Sequence, residues 1–63
     1  MFQKLIDQFG SASNMARALG VTRGAVTQWG IDGLPSKQAI EIEKLTGGKF
    51  KAVDIAGAKY DRQ

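Results

Sequence analysis

The chain has 63 residues, enough for one domain and near the lower limit for a fold held by its apolar core alone. It contains no cysteine and no histidine, which excludes disulfides, ordinary zinc sites, thiol nucleophiles and imidazole bases. Nine Lys and Arg against six Asp and Glu give a net charge of +3 and a pI near 9.6, a balance that favours an anionic partner.

Phe2, Leu5, Ile6 and Phe9 recur at i, i+3, i+4 and i+7, the pattern of a helix with one buried face. Gln3, Lys4, Asp7 and Gln8 fill the other face. Gly10 ends this helix, and Ser11 is suited to cap the next by accepting from a free N–H of its first turn. In the second helix Met15, Ala16 and Leu19 share an apolar stripe. Gly20 stands where the chain must turn, because a left-handed backbone is cheap only for glycine. Thr22 caps a third helix in which Val26 and Trp29 face the core. Ala16 is small where the two helix axes would cross. A small residue, glycine four on and an aliphatic residue six further on is the spacing of a helix-turn-helix. The three helices are predicted over 2–9, 12–19 and 23–29.

Between Asp7 and Asp32 the only charged residues are Arg17 and Arg23. Absence of carboxylates suits a surface that approaches phosphates. The third helix therefore reads as a DNA recognition helix.

Residues 30–33 read as a connector. Pro35 suits the start of a fourth helix, predicted over 35–46, with Ala39, Ile42 and Leu45 or Thr46 facing the core. Ile40 lies roughly 160° from that stripe, either partly covered or exposed for a partner. Gly47-Gly48 stops the helix. Residues 49–55 fit a short fifth helix, preferred here, or a strand, since so short a segment has no decisive period. Residues 57–63 read as a flexible tail, with Tyr60 its one anchor. The expected fold is thus all-α, a compact bundle of four to five short helices over 1–56. The alternative is an α+β fold with a C-terminal β-hairpin. No apolar run approaches the roughly 20 residues of a membrane span, and no secretory hydrophobic region opens the chain, so a soluble protein inside the cell is expected.

Phe9-Gly10, Ala16, Leu19-Gly20-Val21, Ala25-Val26, Gln28-Trp29, Leu34-Pro35 and Thr46-Gly47 resemble the Cro repressors of lambdoid bacteriophages, over about 9–48. The resemblance implies a small or weak homodimer that binds a pseudo-palindromic operator and blocks transcription in the cytoplasm of a bacterial host. It also offers two C-terminal variants, of which Pro35 and the 39/42/45 stripe favour the all-helical one.

Set against the motif, the base-reading positions are Thr22, Arg23, Gly24, Thr27 and Gln28. Arg23 can donate twice to guanine, Gln28 can pair with adenine, and the Thr27 methyl can pack on thymine. A solvated helix-end arginine is the plainer account of Arg23, and a solvated amide or phosphate contact that of Gln28. Gly24 either lets the backbone approach the bases or is a tolerated exposed glycine. Phosphates are expected at Ser11, Ser13 and Asn14, at the start of the second helix, and at Arg17, Ser36 and Lys37. Ile40 and Phe50 are the candidates for a dimer contact. Trp29 reads as core rather than as a base-stacking platform.

Three function classes compete: a DNA-binding repressor of this type, another helix-turn-helix regulator such as an antitoxin-like one, and a helical protein-interaction module that binds no DNA. The polar 23/27/28 face disfavours the last. An enzyme is not expected. Glu41 and Glu43 point to different sides of a helix, and no cofactor loop, metal-ligand spacing or small-molecule site is evident.

Overall fold

Apolar periodicity folds residues 1–60, the part of the chain that the computed structural model describes, into five helices and no strand. They are α1 (Phe2–Phe9), α2 (Ala12–Leu19), α3 (Arg23–Asp32), α4 (Ser36–Leu45) and α5 (Ala52–Ile55). The all-α bundle is the observed fold, and the C-terminal hairpin is not formed. Residues 36–45 are helical because Pro35 presets the start and Ala39 and Ile42, three apart, bury one face completely.

Phe2, Leu5 and Ile6 of α1, Met15 and Ala16 of α2, Val26 of α3, Leu34, Ala39 and Ile42 around α4 and Ile55 of α5 form one core. A large apolar side chain withdrawn from water contributes about 1.5–3 kcal/mol. Phe9, Leu19, Trp29 and Phe50 pack at its edge, so Trp29 belongs to the core as expected.

Both N-caps form where the sequence places them. Ser11 Oγ accepts from the Asn14 N–H and Thr22 Oγ1 from the Ala25 N–H, each at 3.1 Å. Between them α2 closes in a Schellman turn. The Val21 N–H donates to the Ala16 carbonyl at 2.9 Å, and the Gly20 N–H to that of Arg17 at 3.3 Å. Gly20 has φ 70° and ψ 30°, and nothing lies within 4 Å of the Cβ position. The glycine is required by backbone conformation, where a side chain costs roughly 1–2 kcal/mol, and not by crowding.

Three boundaries differ from the sequence reading. The helix expected to end at 29 continues to Asp32, so residues 30–32 are not connector. Gly30, read as part of the connector, is instead buried inside α3 beneath the Tyr60 ring. The fourth helix is one residue shorter at each end than predicted, with Pro35 just outside it as the N-cap. Its stripe continues to Thr46, whose hydroxyl donates to the Ile42 carbonyl at 2.8 Å, whereas Leu45 is half exposed. Residues 49–55 contain the preferred short helix. Its first turn has no cap of its own, and the Glu43 carboxylate, from α4, accepts from the Ala52 N–H at 2.8 Å.

Residues 57–60 run back along the end of α3. The Gly57 N–H donates to the Leu34 carbonyl at 2.7 Å, Leu34 N–H to Ala58 at 3.0 Å, and Tyr60 N–H to Gly30 at 2.7 Å. The last of these satisfies a carbonyl that the end of α3 would otherwise leave open. The Tyr60 ring meets Phe2 edge to face, centroids 5.0 Å apart. The remainder of the expected tail, 61–63, lies outside the described residues.

Candidate nucleic-acid interface

The turn at Gly20 and the cap at Thr22 position α3, which packs against α2 more extensively than any other pair of helices packs. Val26 and Gly30 turn inward, and Thr22, Arg23, Gly24, Thr27 and Gln28 are all exposed. The five positions assigned to base reading thus share one solvent-facing side. Thr27 Oγ1 donates to the Arg23 carbonyl at 3.2 Å, which turns its methyl outward from the helix backbone. The Arg23 guanidinium has no hydrogen-bond partner among the described residues. It stands at the helix N-terminus, where the macrodipole disfavours a cation, so stability alone does not account for it.

Gln28 is engaged differently. Its Nε2 donates to Asp32 Oδ2 at 2.5 Å, one turn further along α3. In sequence Asp32 only bounds the acid-free interval. Its i+4 spacing from Gln28 was visible, but it carried no meaning while residues 30–33 were read as loop.

A Cβ on Gly24 would meet only Thr22 Oγ1, at 3.9 Å. Gly24→Ala is therefore expected to stabilise the free protein by up to about 1 kcal/mol, from helix propensity alone. If close backbone approach to the bases is the reason for the glycine, operator affinity stays level or falls. Thermal melts paired with binding assays check both, and tighter binding together with greater stability rejects the steric account.

The phosphate candidates divide. Ser11, Ser13 and Asn14 lie together at the start of α2, with the Ser11 oxygen committed as cap acceptor and Asn14 Oδ1 accepting from Arg17 at 3.4 Å. Arg17 and Lys37 line one open groove between α2 and α4, along with Gln38 and Glu41, of about 460 Å³. Ser36 is not part of that cluster. It faces the other side of α4, on a cleft shared with Ile40, Ala52 and Val53. Of the dimer candidates, Ile40 is half exposed, while Phe50 is partly buried against the core beneath the Lys49 ammonium, 6.0 Å from the ring centroid. Val53, within the 49–55 segment that is also a candidate for the dimer contact, is 88% exposed beside Ile40.

No group of three or more carboxylates able to hold a metal ion occurs among the described residues, and no helix there is long and apolar enough to cross a membrane. The geometry is that of a helix-turn-helix with a polar outer helix and flanking cations.

No solved structure matches this chain. The regulatory protein cro of Salmonella phage P22 is 40% identical over 52 residues, which cover 81% of this chain and 84% of that protein. Residues 2–60 match the family model described as DNA-binding transcriptional regulator Cro. With that match across nearly the whole fold, the chain belongs to the Cro family of DNA-binding transcriptional regulators.

Proposed function

We propose that this regulator is a sequence-specific repressor that lays α3 in the major groove of an operator half-site and blocks transcription in the cytoplasm of a bacterial host. One observation carries the reading: Arg23, Gly24, Thr27 and Gln28 form an exposed polar face on α3, with no carboxylate between Asp7 and Asp32. In this reading Arg23 reads guanine and Gln28 adenine, while Thr27 packs on a thymine methyl. Thr22 is a cap first and a groove contact second. The start of α2, through Ser11, Ser13 and Asn14, and the Arg17–Lys37 groove hold phosphates on either side. Ser36, on a different cleft of α4, stands apart from that groove.

Two copies meet through Ile40 and the 49–55 segment, with Val53 as the exposed apolar group and Phe50 as its support. A body of 29 × 22 × 18 Å is compatible with two α3 helices roughly 34 Å apart, one turn of B-DNA. The exposed apolar patch is small, so the pair forms mainly on DNA. Sedimentation of the free chain as a monomer and of the operator complex as two chains per duplex is the expected result; one chain per duplex rejects the dimer.

The test of function is selection of preferred sites from random duplexes, followed by salt titration. A symmetric pair of half-sites, and affinity that drops steeply with added salt, are expected. Selection that yields no preferred sequence rejects the reading. Lys37→Ala is expected to weaken specific and random duplexes alike and to flatten the salt slope by about one unit. An unchanged slope removes Lys37 from the phosphate contacts.

A further inference from the structure

We infer that Asp32 is a specificity-determining residue, which fixes the direction in which Gln28 presents its amide to a base; this rests on the reading of α3 as the recognition helix. Gln28 Nε2 donates to Asp32 Oδ2 at 2.5 Å across one helical turn, and both side chains are exposed. A carboxylate only accepts. The amide nitrogen must therefore face Asp32, and Oε1 must face away, because the reverse orientation sets two oxygens against each other.

The exposed hydrogen bond to Gln28 adds only weakly to the stability of the helix, and nothing in affinity favours an acid at this position. Asp32 is the last residue of α3, where the helix carbonyls already carry partial negative charge. It also stands on the helix that meets a polyanion, where its charge opposes binding to any sequence. An orienting role accounts for a residue that carries both penalties.

The consequence is a preference among bases. A tethered Gln28 has Oε1 and one remaining Nε2 hydrogen to offer, the complement of adenine N6 and N7. Guanine presents only acceptors there, O6 and N7, so Oε1 would oppose O6. An untethered glutamine can turn its amide and give both hydrogens to guanine. Cytosine N4 can meet Oε1 but gives a single bond. Asp32 thus excludes the guanine-reading orientation of Gln28.

The experiment uses the full chain with the selected duplex. Loss of preference in Gln28→Ala identifies the base pair that Gln28 contacts, and that pair is then changed to each alternative in competition binding. The wild type is expected to prefer adenine there. Asp32→Asn, whose amide can accept or donate, and Asp32→Ala are each expected to lower the adenine-to-guanine ratio about five-fold. Both are expected to bind every duplex more tightly, since a negative charge is gone. In the Gln28→Ala background the Asp32 substitutions are expected to leave the ratio unchanged. A ratio that survives Asp32→Asn and Asp32→Ala with Gln28 intact overturns the inference, as does a preferred base other than adenine, or an equal drop without Gln28. If Gln28→Ala changes preference at no position, the assignment of Gln28 as a base reader fails, and this inference with it. If Gln28→Ala relaxes preference and the Asp32 variants do not, only this inference fails.

Discussion

Arg23→Ala is expected to relax base preference at one position of each half-site by about 5- to 150-fold, the equivalent of roughly 1–3 kcal/mol for a bidentate guanidinium–guanine contact. The side chain is exposed at the first position of α3 and has no partner among the described residues. Its removal therefore breaks nothing in the free fold. Loss of a cation from the positive end of a helix instead leaves stability level or slightly raised. Those two outcomes, reduced discrimination and undiminished stability, distinguish a base contact from a structural arginine. Affinity for random duplexes falls less than affinity for the selected site, because a lost phosphate attraction is common to both while the base contact is not. Equal losses on selected and random DNA would instead assign Arg23 to the backbone. Competition binding at fixed salt, with each base pair of the half-site varied, makes the measurement.

The second large effect is on stability and begins at the first residue of α1. Phe2→Ala is expected to cost roughly 3–5 kcal/mol, as truncation of a fully buried aromatic side chain does. A domain this short rarely has more than about 3–5 kcal/mol in total, so the variant is expected to be largely unfolded in water at room temperature. Phe2 closes one side of the core and supports Tyr60, and Tyr60 in turn lies over Gly30. A Cβ on Gly30 would overlap three carbons of the Tyr60 ring. Gly30→Ala therefore has two opposed effects: about 1 kcal/mol of gained helix propensity, and displacement of an aromatic contact worth about 0.5–1.5 kcal/mol beyond the area it buries. In the wild-type background displacement is expected to win and stability to fall. In a Tyr60→Ala background only the propensity remains, and the same substitution is expected to stabilise. Urea unfolding of the four combinations reads this reversal of sign directly. Stabilisation by Gly30→Ala in both backgrounds would mean that Tyr60 does not rest on α3 in solution.

Where local rules suffice, sequence and structure coincide. The bounds of α1 and α2 follow from apolar spacing and from Gly10, Ser11 and Gly20, and each of these acts on residues fewer than five away. Thr22 caps its helix for the same reason. The outward set on α3 was legible because Val26 and Trp29 fix which side is inward, and the rest must face water. The departures all involve partners distant along the chain. Gly30 reads as connector until Tyr60, thirty residues later, covers it and its carbonyl receives the Tyr60 N–H. Residues 57–60 offer only Ala58 and Tyr60 as apolar groups and have no period, yet their backbone pairs with Leu34 and Gly30. The start of α5 depends on a carboxylate of α4. On α5, which packs against α4, Ile55 turns into the core and Val53 toward water, while Phe50, just before that helix, packs at the core's edge.

The amino-acid sequence by itself determined the helix-turn-helix, its caps and the polar, acid-free face of the outer helix, and it favoured an all-α class without excluding a C-terminal hairpin. These rest on periodicity and on hydrogen bonds within a turn or two, whose strength does not depend on the rest of the molecule. Only the tertiary structure decided where α3 ends, that Asp32 holds Gln28, that Arg17 and Lys37 share a groove without Ser36, and that Val53 stands beside Ile40. Those outcomes depend on which surfaces meet when separate helices pack. Helix propensity is a fraction of a kcal/mol per residue, and it yields to burial and pairing worth several times as much.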